Sequence, residues 1–91
     1  MEAVKILAQI NNDKKSEFFQ TFESLTKLVS RFCAELDVEV SPYNDLEITV
    51  LFSDKDSLAN NFYNEEFNIL KGTVRSLCHN VRIEIKNAVL N

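Results

Sequence analysis

The sequence predicts an α+β domain of order β-α-β-β-α-β, with four antiparallel strands in one sheet and two helices on one face. Three observations carry that reading. Apolar residues recur at every second position in four short stretches, which is the period of a strand. They recur at spacings of three and four in two longer stretches, the period of a helix. The chain has 91 residues, and at ~100–150 residues per typical domain that is one domain, 1–91.

Residues 3–11 alternate, with Val4, Ile6, Ala8 and Ile10 on one side and Lys5, Leu7, Gln9 and Asn11 on the other. Asn12 and Asp13 end this first strand. Asp13 suits a helix N-cap, because its carboxylate accepts from unpaired first-turn amides. Phe18, Phe22, Leu25, Val29, Phe32 and Leu36 follow at spacings of 4, 3, 4, 3 and 4, widened by Phe19, Leu28 and Cys33. They make one apolar stripe on a long helix over residues ~14–36.

Val38 and Val40 alternate with Glu39 and Ser41, a short second strand. Pro42, Asn44 and Asp45 supply turn chemistry. Leu46, Ile48, Val50 and Phe52 then alternate with Glu47, Thr49 and Ser53, and Leu51 interrupts the polar set. The short connection makes strands two and three an antiparallel hairpin.

Ser53 and Asp56 resemble a capping pair for a short helix over ~54–61. Asn60, Asn61, Phe62, Tyr63 and Asn64 interrupt it. Asn64 suits the cap of a second piece, with Glu65 and Glu66 in its first turn and Phe67, Leu70, Val74 and Leu77 along its stripe. Gly72 lies inside this helix at a cost of ~1 kcal/mol against Ala, so a packing reason is expected. Val81, Ile83 and Ile85 alternate with Arg82, Glu84 and Lys86 in a fourth strand, and Asn87–Asn91 form a tail.

Right-handed crossovers and one hairpin turn this order into the ferredoxin-like plait. The apolar strand residues should face the helices. The other sheet face then carries Lys5, Leu7, Gln9, Glu39, Ser41, Tyr43, Glu47, Thr49, Leu51, Arg82, Glu84 and Lys86. Leu7, Leu51 and Tyr43 are the positions there that a contact or cavity would use.

Composition narrows the function classes. Apolar residues make up 45% and charged residues 26%, as in globular domains, and one Gly and one Pro exclude low-complexity chains. No apolar run approaches the ~20 residues of a membrane span. The first ten residues do not read as a signal peptide. A net charge of −4 argues against phosphate-backbone binding. An RNA-recognition surface needs stacking aromatics and cations, and the open face offers one aromatic, Tyr43, among mixed charges. Regulatory domains that bind amino acids on this topology place glycines after the first strand, where this chain has Asn11, Asn12 and Asp13. Cys33 and Cys78 both fall on apolar helical stripes and read as reduced core thiols, with a cytoplasmic location expected. One His and no close Cys/His spacing leave no metal site to predict. His79, where the second helix gives way to the last strand, suits capping of helix carbonyls. Glu65–Glu66 reads as first-turn helix charge, and Glu39 and Glu47 as solvated strand positions. No nucleophile triad, phosphate loop or dinucleotide fingerprint is present.

One longer pattern carries more. The segment LEITVLFSDKDSLANNFYNEEFNILKGTVRSL (Leu46–Leu77) resembles the second half of the antibiotic-biosynthesis-monooxygenase family, the dimeric α/β-barrel proteins. The family shows a strand ending in an aromatic, an acid-rich turn, an Ala/Leu pair, a His, a small polar residue and an aromatic that opens the long helix. Here Phe52 stands at the first aromatic, Leu58–Ala59 near the pair, Asn64 at the small polar position and Phe67 at the second aromatic. The opening VKILAQI, an early acid and a long helix also fit. The family's His position holds Asn61, its Trp is Phe52, and its Gly-rich start of the second strand is Leu36–Asp37–Val38 here.

The resemblance implies a homodimer through the open sheet face and a cleft between helices and sheet, with no metal or flavin cofactor. Oxidation of a quinol or phenol in that cleft needs a proton acceptor, and an Asn side chain cannot serve as one near neutral pH. The expectation is therefore a non-catalytic or altered barrel protein that binds a small apolar or aromatic molecule. The alternative is a working cofactor-independent monooxygenase with another base. The expected ligand contacts are Phe52, Asn61, Phe62, Tyr63 and Phe67; no catalytic residue is assigned.

Overall fold

A computed structural model describes residues 2–31 and 33–87, the side chain of Asn87 excepted. Its elements are β1 (Glu2–Ile10), a single 3-10 turn (Asn12–Lys14), α1 (Lys15–Val29), β2 (Glu35–Val40), β3 (Asp45–Phe52), α2 (Lys55–Asn61), α3 (Glu65–Leu77) and β4 (Cys78–Asn87). The four strands form one antiparallel sheet of order β2-β3-β1-β4, as the ferredoxin-like plait requires. Val4, Ile6, Ala8 and Ile10 of β1 and Leu46, Ile48, Val50 and Phe52 of β3 meet Phe18, Phe22, Leu25 and Val29 of α1 and Phe67, Leu70, Val74 and Leu77 of α3 in one core. Phe18, Phe52 and Phe67 are fully buried there, and burial of a side chain this large stabilises by roughly 1.5–3 kcal/mol.

The first helix is shorter than its stripe predicts. It stops at Val29, where the Ser30 amide donates to the Thr26 carbonyl and the Arg31 amide to the Leu28 carbonyl. Leu36 belongs instead to β2, opposite Val50. Its separation of four from Phe32 mimics a helix, but Leu36, Val38 and Val40 also share a strand face, and pairing with β3 decides in favour of the strand. The Ala34 amide, which donates to the Leu51 carbonyl at 2.7 Å, already joins this ladder. Phe32 lies outside the described residues. Cys33 sits beyond the helix end, half-buried against the core, and Cys78 opens β4; neither lies on a helix.

Three cap expectations change. Asp13 lies inside the 3-10 turn, and α1 starts at Lys15 with no side-chain cap on Lys14. The cap of α2 is Asp54 rather than Ser53: its Oδ1 accepts from the Ser57 amide at 2.7 Å. His79 caps no helix carbonyl. The Cys78 amide closes α3 on Val74, and His79 Nδ1 meets Asn11 Oδ1 across the β1–β4 pair. Gly72 has no packing role, since a Cβ there would meet nothing within 4 Å.

A register shift between β1 and β4 re-aims Cys78. Leu7 pairs with Arg82 and Gln9 with His79, so β4 holds one residue more than β1 over that interval. Asn80 there has a φ of 53°, the left-handed region that Asn tolerates better than most residues. The bulge shifts the alternation, so Cys78, like its partner Ile10, faces the core. The β2–β3 turn uses the same device. The Asn44 amide donates to the Ser41 carbonyl, and Asn44 has a φ of 66°. Tyr43 sits at this turn, 85% exposed, rather than on the sheet face.

The open sheet face carries Ala3, Lys5, Leu7, Thr49 and Leu51 beside Glu35, Asp37, Glu39, Glu47, Arg82, Glu84 and Lys86, as the cross-strand pairs require. Lys5 Nζ lies 2.6 Å from Glu47 Oε1, and Lys86 Nζ lies 3.3 Å from Glu84 Oε2. Ala3 is buried, and Leu7 and Leu51 are half-buried. Ile85 lies on the helix-side face as expected but remains 56% exposed on β4, an edge strand.

Candidate functional site

The site is built around the break between α2 and α3. A helix that ends leaves carbonyls without intrahelical partners, and a helix that begins leaves amides. Here side chains take both. Asn64 Oδ1 accepts from the Phe67 amide at 2.7 Å and caps α3, as its sequence position suggests. The Asn68 amide group donates to the Tyr63 carbonyl at 3.1 Å, and Lys71 Nζ donates to the Phe62 carbonyl at 2.8 Å. Asn61 is engaged at both ends: Nδ2 donates to the Ser57 carbonyl at 2.8 Å, and Oδ1 accepts from Asn64 Nδ2 at 3.2 Å.

Aromatic rings run in series from the core to this break. Phe52 and Phe67 centroids lie 6.1 Å apart, Phe67 and Phe62 5.6 Å, and Phe62 and Tyr63 4.9 Å, the last edge to face. Separations of this kind are favourable for aromatic pairs. The structure thus brings the five residues singled out in the sequence into one neighbourhood at different depths. Phe52 and Phe67 are fully buried, Asn61 and Phe62 are half-buried, and Tyr63 is 77% exposed.

Outside the rings lies an open groove of about 320 Å³. Leu58, Ala59, Phe62, Tyr63 and Ile85 line it, with Lys55 at the start of α2. Of the five expected contacts, Phe62 and Tyr63 form its wall. Phe52 and Phe67 stand behind that wall, and Asn61 fixes its backbone. Leu58, Ala59 and Ile85 complete the groove.

Beside Leu58, Ala59 and Ile85, Lys71 is a further residue of the site that the sequence did not single out. It is 7% exposed, on the α3 face that also carries Phe67 and Val74. Its Nζ lies 4.3 Å from the Phe62 ring centroid and 5.1 Å from those of Tyr63 and Phe67. No carboxylate pairs with it among the described residues. Burial pulls its pKa below the ordinary lysine value, and Arg75 adds repulsion. The available signal was its spacing, four residues after Phe67, but a lysine at the margin of a stripe reads as solvated.

The open sheet face holds two further hollows of about 530 and 560 Å³, which share Leu7, Asp45 and Leu46. No group of three or more metal-ligating side chains occurs among the described residues. No helix there is long and apolar enough to cross a membrane.

No protein-family model and no curated protein matches this sequence. Solved structures do match. A Nitrosomonas europaea protein provisionally named an antibiotic biosynthesis monooxygenase superposes with a TM-score of 0.81 over 99% of this chain and 100% of its own, at 13% identity. A Caulobacter crescentus protein of the same provisional name gives 0.81 over 98% and 90%, at 18% identity. A conserved Methanosarcina mazei protein gives 0.77 over 98% and 95%, at 19% identity. At such identities the likeness concerns the backbone path, and along nearly its full length this chain has the fold of structures named antibiotic biosynthesis monooxygenases.

Proposed function

We propose that this chain is a homodimeric small-molecule-binding protein on the antibiotic-biosynthesis-monooxygenase fold, without oxygenase activity. Its ligand is a small apolar or aromatic molecule, seated in the groove between α2 and β4. The observation that carries this is the groove itself. It lies near the lower end of the roughly 300–1,000 Å³ range of small-molecule sites, and aliphatic and aromatic side chains line most of it.

The chemistry at Asn61 supports binding over turnover. This residue stands where the resembling family has a His. An amide neither takes nor gives a proton near neutral pH, and both ends of this one already cap the helix break. Loss of a positioned base lowers a rate by roughly 100- to 10,000-fold. Titration calorimetry with 1-naphthol is expected to give a saturable heat, and Tyr63→Ala is expected to weaken binding. Oxygen uptake with a panel of quinols and polycyclic phenols is expected to stay at background. Turnover that Tyr63→Phe or Asn61→Ala abolishes would make this groove an active site instead.

The dimer forms through the open sheet face. Buried Ala3 and half-buried Leu7 and Leu51 interrupt the charged rows there, and the Lys5–Glu47 pair has already neutralised part of the charge. An interface of ordinary size covers ~800 Å² per partner, the scale of one face of a small sheet.

A further inference from the structure

We propose that Lys71 is the positioning residue of the α2–β4 groove: its ammonium, held beneath the Phe62 and Tyr63 rings and bonded to the Phe62 carbonyl, fixes the aromatic wall against which the ligand packs. The inference rests on the binding reading above and assigns the device that sets the wall. Four contacts converge on one nitrogen: the Phe62 carbonyl at 2.8 Å and the ring centroids of Phe62, Tyr63 and Phe67 at 4.3 to 5.1 Å. A buried amine with no carboxylate partner among the described residues carries a desolvation cost that these contacts offset. A leucine would fill the α3 stripe without that cost, but it would leave the Phe62 carbonyl unbonded and Phe62 and Tyr63 without a common anchor.

The charged and titratable groups around the nitrogen and its wall include Arg75, one turn further along α3, the Tyr63 phenol at the break, and Lys55, which lines the same groove from α2. Both Phe62 and Tyr63 belong to the groove wall, so the charge on Lys71 and the shape of the groove are coupled. A neutral amine keeps its bond to the carbonyl but loses most of its attraction to the rings.

The test uses the full chain. In the wild type, NMR should show the Lys71 Cε signal titrating below the ordinary lysine value, with the Phe62 ring signals moving at the same midpoint. Phe62 signals that ignore that midpoint overturn the proposal, with or without a ligand. Lys71→Met keeps the stem and removes the charge. It is expected to weaken 1-naphthol binding about tenfold, the scale of one desolvated cation–π contact. Lys71→Arg is expected to restore most of it. Binding unchanged in Lys71→Met overturns the proposal. If Lys71→Met does not fold, the wild-type titration and Lys71→Arg decide. If wild-type protein binds no 1-naphthol, the binding reading fails, while the Phe62 titration still judges the role of Lys71 in the wall.

Discussion

At the scale of single residues, side chains that meet orphaned backbone groups have the most predictable effects. Asn64 caps α3 through the Phe67 amide and also bonds Asn61. Asn64→Ala is expected to destabilise by about 1 kcal/mol, measured as a lower urea midpoint with unchanged slope. The two thiols are graded by depth. Burial raises both pKa values, which lowers the reactive thiolate fraction at neutral pH. Cys78 should resist a thiol reagent until the protein is denatured, and half-buried Cys33 should react slowly; fast native labelling of Cys78 would contradict its core position. Lys5 has a raised pKa, first because of its hydrogen bond to Glu47. A raised folded-state value means the contribution is complete below the unfolded value of 10.5 and is lost as pH climbs through the folded value. Alkaline titration of Lys5→Met against wild type should therefore show the stability difference shrinking only above that range.

At the scale of elements, two backbone features invite substitution. Gly72 is exposed in the middle of α3 with open space around it. Gly72→Ala is expected to stabilise by up to about 1 kcal/mol, seen as a higher melting temperature. Asn80 has the opposite constraint, because its φ of 53° shapes the bulge that turns Cys78 inward. Asn80→Gly should be tolerated. Asn80→Val should cost roughly 1–2 kcal/mol, the penalty of a branched side chain in the left-handed region. Periodicity in the sequence located the four strands and the helical stretches, yet it misjudged two junctions: α1 ends well before Leu36, and Cys78 opens β4 instead of lying on the helix before it. The spacing of Leu36 from Phe32 fits a helix, its spacing from Val38 fits a strand, and only pairing with Val50 decides between them. Capping was legible where one candidate stood at the position, as at Asn64. It was not legible where adjacent acceptors competed, as at Ser53 and Asp54.

For the whole molecule, the expected state is a dimer of about 21 kDa, twice the 10.5 kDa chain, by light scattering. Leu51→Lys places a charge at an apolar position of the open face, beside Ala3, and should shift that mass toward the monomer with the helical signal intact. A wild-type mass of one chain at high concentration would leave the face solvated, as in a one-sided antiparallel sheet.

Alternation and helical spacing are enough to give the element order, most of the strand faces and most of the two helical stripes. These follow from periods of two and 3.6, which are local properties of the backbone. The sequence also marked Asn61, Phe62 and Tyr63 as a break, because a cluster of asparagines competes with helix hydrogen bonds. Depth and partnership come from the packing of distant segments. The tertiary structure buried Phe52 and Phe67 behind Phe62, engaged both ends of Asn61, and brought Ile85 from β4 to the rim of a groove on α2. It also drew Lys71 under three rings. No local period records which distant segments pack together.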